Sequence, residues 1–70
     1  MDYQKWGEEY LEDASRLKER VAQLRREFHG LRDEEAIRLS RRIAVLYDMY
    51  LECLHVGRLL TERGKANERK

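Results

Sequence analysis

The segment ECLH, residues 52–55, has a spacing of side chains that is typical of a metal site. Glu52 and His55 are three residues apart, so on a helix they lie one turn apart on the same side. Di-iron four-helix bundles use this Glu-x-x-His pair as ligands, together with glutamates from the other helices. A helical wheel places both residues on the polar side of their helix, away from its apolar seam. We therefore predict that they bind no metal.

Other reactive side chains lack the neighbours that catalysis requires. Cys53 falls on the apolar side of the same helix, which favours a buried, inert thiol. His29 precedes Gly30 at a predicted helix end, where a partly exposed capping role is the ordinary explanation. No serine is placed near a histidine and an acid, and no glycine-rich phosphate loop is present. We expect no enzymatic activity, no catalytic residue and no bound cofactor.

Composition narrows the class of protein further. The 70 residues are 41% charged and 41% hydrophobic and include no proline, a mixture that suits long amphipathic helices. A net charge of +1 argues against a DNA mimic and against a generally basic nucleic-acid binder. The single cysteine cannot form an internal disulfide, and the N-terminus shows no signal peptide. The sequence therefore predicts a reducing, cytoplasmic location.

The most apolar segment, residues 43–60, is too short and too often interrupted to span a membrane. Thirteen of its 18 residues are apolar, whereas a spanning helix needs about 20 apolar residues in succession. Its polar residues recur about once per turn along one side, and they are Asp48, Glu52, His55 and Arg58. We predict no association with a membrane.

Two helices joined by a tight turn account for residues 1–63, which we predict to form one domain. The first helix is predicted over about 3–28, with Asp2 as its N-cap. From Tyr10 onward its apolar residues recur in alternating steps of four and three, which is the heptad seam of a helix that packs against one neighbour. This seam covers an arc of about 100° on the wheel.

The turn is predicted at residues 29–33. We expect Gly30 to adopt the left-handed conformation that closes a helix C-terminus. Asp33 is a good N-cap for the following helix, because its carboxylate can accept a hydrogen bond from an unpaired backbone N–H. A connection this short makes the two helices antiparallel neighbours.

The second helix is predicted over about 34–63. Gly64 marks its end, and the polar, unpatterned residues 64–70 are predicted to form a frayed tail.

Pairing the helices about the turn gives a first register. If facing residues have numbers that sum to about 64, Val21 faces Ile43 and Gly7 falls opposite Gly57. Two glycines in one layer permit a close approach of the backbones, which accounts for both residues although each weakens a solitary helix by up to ~1 kcal/mol.

The second helix has more apolar surface than the first can cover. One row is predicted to face the first helix: Ala36, Leu39, Ile43, Leu46, Tyr50, Cys53, Gly57 and Leu60. A second row lies beside it: Ile37, Ser40, Ala44, Tyr47, Leu51 and Leu54. Together the rows span about 220°, roughly twice the arc of the first helix. We therefore predict an all-α, antiparallel two-helix hairpin that associates through this second row into a four-helix-bundle-like dimer or higher oligomer.

Arginines gather toward the turn end of the predicted hairpin and form a candidate patch for an anionic partner. This basic patch consists of Arg16, Arg20, Arg25, Arg38, Arg41 and Arg42. A solvated face with ion pairs four residues apart, such as Glu12 with Arg16, is the alternative explanation of the same charges.

In layout the chain resembles the Rop family, small RNA-binding regulators that are dimers of two-helix hairpins. The shared features are the length, the short turn, the heptad seams and a cysteine late in the second helix. The resemblance implies a dimeric bundle and, by analogy of architecture alone, RNA binding. No residue role is carried over.

The residues themselves predict a non-enzymatic interaction module that forms homo-oligomers. We expect it to act as a regulator or inhibitor by docking to a partner protein. The alternative is a binder of an anionic ligand, RNA or a nucleotide, through the basic patch or through pockets at subunit junctions.

Overall fold

The computed structural model describes residues 2–68, which form the predicted all-α hairpin. Helix α1 (Tyr3–Phe28) and helix α2 (Asp33–Glu68) pack against each other in antiparallel fashion. The Cα atoms span 57 × 14 × 14 Å, so the molecule is a thin rod. Its length is set by α2, whose 36 residues extend over about 54 Å at 1.5 Å per residue.

Helix α1 has the predicted bounds and the predicted N-cap. The carboxylate of Asp2 accepts a hydrogen bond from the backbone N–H of Lys5 at 3.0 Å. The carbonyl of Asp2 accepts the first helical bond, from the backbone N–H of Trp6 at 3.1 Å. The carboxylate thus satisfies one of the N–H groups that have no partner within the helix.

The turn differs from the prediction in the residue that adopts the left-handed conformation. That residue is Asp33, with φ of 58°, and not Gly30, whose φ is negative. The backbone N–H of Gly30 donates to the carbonyl of Glu27 at 3.2 Å. The backbone N–H of Leu31 donates to the carbonyl of Phe28 at 3.1 Å. These two i→i+3 hydrogen bonds satisfy the carbonyls of Glu27 and Phe28 without a left-handed glycine. Aspartate tolerates the left-handed conformation later in the turn.

Helix α2 is longer than predicted. It continues to Glu68, so the predicted end at Arg63 is wrong. The predicted frayed tail is wrong for residues 64–68, and residues 69–70 lie outside the described part of the chain. Gly64 is buried, and a Cβ at this position would lie 2.8 Å from the backbone nitrogen of Gln4. This glycine permits close packing against α1 instead of ending α2.

The helices approach each other closely at the open end of the hairpin, where Gly7 lies opposite Gly57 as predicted. A Cβ on Gly7 would lie 2.8 Å from the carbonyl oxygen of Gly57 and 2.8 Å from the backbone nitrogen of Thr61. A Cβ on Gly57 would meet the Leu11 side chain at 2.7 Å. The absence of side chains on both glycines is therefore what allows this approach.

Along the hairpin, the register differs from the predicted one by up to about one helical turn, since Gly57 meets Leu11 and Gly64 meets Gln4, pairs whose numbers sum to 68. Val21 lines a groove with Tyr47 and Tyr50, although the predicted register paired it with Ile43. Ile43 lies instead in a groove beside Arg25. The offset arises because the first turns of α2 extend past the end of α1. Each residue of α1 therefore meets a residue of α2 that is later in the chain than its partner in a tight hairpin would be.

The core of the hairpin is small. Within the described chain, the only hydrophobic residues that are almost fully buried are Ala14, Val21 and Leu24. All eight residues of the predicted inward row of α2 are buried or half-buried, which confirms that row. The chain exposes 5911 Å², whereas a folded monomer of 8.5 kDa is expected to expose about 4,650 Å². A single hairpin thus leaves an unusual amount of surface uncovered.

Candidate interaction surface

One side of α2 is an exposed apolar strip, which we call the α2 strip. It consists of the second row: Ile37, Ser40, Ala44, Tyr47, Leu51 and Leu54. All are exposed except Leu54, which is half-buried. Ile37 retains 55% of its accessible surface, Leu51 43% and Tyr47 40%. The residues predicted as an interface therefore lie together on a side of α2 that α1 leaves open, along about 26 Å of helix.

The position of the α2 strip follows from the local sequence. Each strip residue directly follows a residue of the inward row, as Ile37 follows Ala36 and Leu51 follows Tyr50. A helix turns by about 100° per residue, so the strip lies about a quarter turn away from α1. Both rows repeat in steps of four and three, which keeps them side by side along the helix.

The edge of the α2 strip nearest α1 is bounded by a shallow groove. Lys18, Val21, Ala22 and Arg25 line this groove from α1, opposite the tyrosines of α2. The guanidinium of Arg25 lies 5.5 Å from the centre of the Tyr47 ring, at a distance suited to a cation–π interaction. This contact lies at the border between the two helices.

Phe28 extends the apolar surface at the turn end, and sequence reasoning did not include it. The predicted register placed Phe28 in the seam opposite Ala36. It keeps 38% of its accessible surface and lines a groove with Ile37 and Ser40 of the α2 strip. Its position as the last residue of α1 could have indicated this exposure, because α2 extends beyond the end of α1 there.

The arginines of the predicted basic patch on α1 already have partners within the chain. Arg16 forms an exposed ion pair with Glu12 at 3.1 Å. Arg20 donates a hydrogen bond to the side-chain oxygen of Gln23 at 3.3 Å. Arg25 stacks on an aromatic ring of α2, as described above. These contacts match the alternative explanation, in which the charges form a solvated, locally paired face.

The arginines of the patch on α2 are different, because Arg38, Arg41 and Arg42 are all exposed and make no ion pair within the described residues. The helical wheel places Arg38 and Arg42 on the side of α2 opposite the α2 strip. The six arginines therefore do not form one continuous surface, although three unpaired cations lie within two turns of α2.

The side chains considered for chemistry differ in their exposure. Glu52 and His55 are both exposed. Cys53 is half-buried, less than the predicted buried thiol, and lies in a groove with Leu17 and Met49. Between residues 2 and 68 there is no cluster of three or more histidines, cysteines or acids arranged to hold a metal ion.

Neither helix, over the residues described, contains a segment that is long and apolar enough to cross a membrane. Comparison of the chain with protein-family models, with curated proteins and with solved structures finds no match. The resemblance in layout to the Rop family stays an expectation.

Proposed function

We propose that this chain is a self-associating helical module that acts by docking to other proteins as an oligomer, with the α2 strip as its self-association surface. The observation that carries the proposal is the exposure of large apolar side chains along one side of α2, with Ile37 at 55%, Leu51 at 43% and Tyr47 at 40%. Exposed apolar patches of this kind mark interaction sites in soluble proteins. A cytoplasmic location, predicted from the single cysteine, belongs to the same proposal.

The energetics support association. Full burial of a large apolar side chain contributes roughly 1.5–3 kcal/mol, so completing the burial of these three half-covered residues contributes about 1 kcal/mol each. Two chains gain twice that amount, which is comparable to the whole stability of a small domain.

The shape of the α2 strip also supports association between helices. Ser40 and Ala44 are small and exposed, and they lie between larger neighbours on the same strip. Small residues let a second helix approach closely, while the larger side chains on either side fill the space around them. The strip therefore offers both large groups to bury and gaps to receive a partner.

The test is the mass in solution, measured by light scattering coupled to gel filtration at micromolar concentration. We expect a dimer or higher oligomer for the natural chain and a mass near 8.5 kDa, with reduced helicity, for Leu51→Asp. A carboxylate placed in the apolar interface would lose its hydration without gaining a partner. Leu51→Ala, which keeps helix propensity, is expected to weaken association while preserving helicity.

Leu59→Asp is the matched control. Leu59 is also exposed, at 53%, but lies five residues past Leu54, beyond the C-terminal end of the apolar strip. The same leucine-to-aspartate change there is expected to leave the mass unchanged. A natural chain that is monomeric and fully helical would contradict the proposal.

A second candidate function is binding of an anionic ligand, RNA or a nucleotide. The observation that favours it is the exposure of Arg38, Arg41 and Arg42 without ion pairs in the described chain. Changing all three to glutamate is expected to abolish binding of an RNA probe while leaving the circular dichroism of the helices intact. Binding to phosphates also weakens steeply with salt, whereas apolar docking does not. Affinity that survives the triple change would remove this candidate.

A further inference from the structure

The heptad steps of the α2 strip continue for one residue beyond each end, and these two residues carry opposite charges. Asp33 precedes Ile37 by four positions, and Arg58 follows Leu54 by four positions. Both charged residues are exposed, and the wheel places both on the same side of α2 as the strip. The strip therefore begins with an acid and ends with a base.

We infer that the α2 strip pairs with the α2 strip of a second copy of this chain in antiparallel orientation, about a two-fold axis that passes between Ala44 and Tyr47. The inference rests on the proposed self-association and adds its direction and its register. In this arrangement Asp33 of each chain meets Arg58 of the partner subunit, so an ion pair closes the interface at both ends. An isologous interface of this kind uses the same surface on both chains.

The register places small residues opposite large ones. Ala44 lies opposite the partner's Tyr47, and Ser40 lies opposite the partner's Leu51. The two remaining aliphatic residues of the strip face each other in the outer layers. Alternation of large and small side chains across facing helices fills the space between them at the density of a protein core.

Parallel pairing of the two strips would give poorer packing and less favourable contacts between charges. Tyr47 would meet the partner's Tyr47, while Ser40 and Ala44 would meet their own copies and leave gaps. Asp33 would also lie beside the partner's Asp33, so like charges would repel at each end of the interface. Packing and charge therefore favour the same, antiparallel direction.

Charges along one edge of the α2 strip agree with this direction. Arg41 and Asp48 are both exposed and lie on the edge of the strip farther from α1. Antiparallel helices bring equal edges together. In the inferred register, Arg41 lies within about 3 Å along the helix axis of the partner's Asp48, and opposite charges thus face each other beside the apolar layers.

A double-mutant cycle on the two ends of the strip tests the inference. The four full-length chains are the natural one, Asp33→Asn, Arg58→Glu and the double variant. Asparagine is chosen because it tolerates the positive φ of position 33. Urea unfolding at several protein concentrations yields the dissociation constant of each chain, even for a tight dimer.

We expect the effect of Asp33→Asn to change sign with the residue at position 58. With arginine there, Asp33→Asn weakens association about threefold, because two exposed ion pairs are lost. With glutamate there, Asp33→Asn strengthens association by a similar factor, because two repulsions are removed. Positions 33 and 58 are about 37 Å apart along one helix, so coupling between them must come from a second chain.

Glu34→Gln is the control for the charge at the start of α2. It also removes an acid from the first turn, but it lies off the strip. We expect it to have the same effect with either residue at position 58.

Three outcomes would overturn the inference. Stronger association of Asp33→Asn in both backgrounds would indicate parallel pairing. An equal loss or no effect in both backgrounds would show that the two ends do not meet. Either result leaves the proposed self-association in place, whereas a natural chain that is monomeric overturns both.

Discussion

The two halves of α2 differ in how closely they pack against α1. Between Gly57 and Gly64 the helix lies so close to α1 that a Cβ at either glycine would meet an α1 atom within 3 Å. Between Ile37 and Leu51, five large apolar side chains keep 40–61% of their surface exposed. The same helix therefore has one half that lies close against α1 and one half that carries a continuous exposed apolar strip.

The difference is one of side-chain size. Glycines let the two backbones approach closely at the open end of the hairpin. Tyrosine, leucine and isoleucine occupy two adjacent rows in the other half, and a single neighbouring helix covers one row only. Changes in the first half should act on the fold of each chain, and changes in the second half on association.

The largest effect is expected for Gly7→Ala, in the closely packed half. The added Cβ would lie 2.7–2.8 Å from atoms of Gly57 and Thr61, two of which belong to the backbone. We expect the free energy of unfolding to fall by about 1–3 kcal/mol, although alanine is the better helix former by ~1 kcal/mol. Thermal unfolding followed by circular dichroism measures the loss.

Gly30→Ala is the matched control for that change. A Cβ on Gly30 would approach only the carbonyl oxygen of Glu27, at 3.8 Å, and the φ of Gly30 is negative. We expect unchanged stability or a gain of up to ~1 kcal/mol from the less flexible unfolded chain. Equal losses from both glycine changes would show that close packing is not what distinguishes the open end.

A smaller effect is expected for Arg25→Gln, at the border between the covered and open rows. The change removes the cation above the Tyr47 ring but keeps most of the side-chain stem. We expect a loss of about 0.5–1 kcal/mol in urea unfolding. Lys18→Gln removes a charge from the same groove, and Lys18 does not stack on a ring of the described residues, so this change should have less effect. Equal effects of the two changes would argue against the cation–π contact.

The smallest effect is expected for Arg16→Gln, on the outer face of α1. Its ion pair with Glu12 has both side chains more than 60% exposed, and such pairs contribute about 0.3–0.5 kcal/mol. The difference from the natural chain should vanish in high salt, because exposed charges are screened. A loss above ~1 kcal/mol that persists in salt would mean that this face is covered in the assembled protein.

The elements of the hairpin could be predicted from the sequence because they depend on local properties. The Asp2 cap, the bounds of α1 and the inward row of α2 follow from residue types at fixed helical spacings, which need no knowledge of the neighbouring helix. The α2 strip could be predicted for the same reason, since its offset from the inward row is one residue along the chain.

The register of the hairpin and the end of α2 were decided by tertiary structure. A glycine gives the same local signal whether it ends a helix or admits a neighbour, so the sequence by itself did not show that Gly64 is buried against Gln4. Likewise Gly30 and Asp33 both suit a left-handed residue, and in the folded turn Asp33 is the one that adopts it. Sequence periodicity determined which faces of the helices are apolar. How far one helix slides along the other depends on contacts between residues distant in the chain, and only the packed structure specifies those contacts.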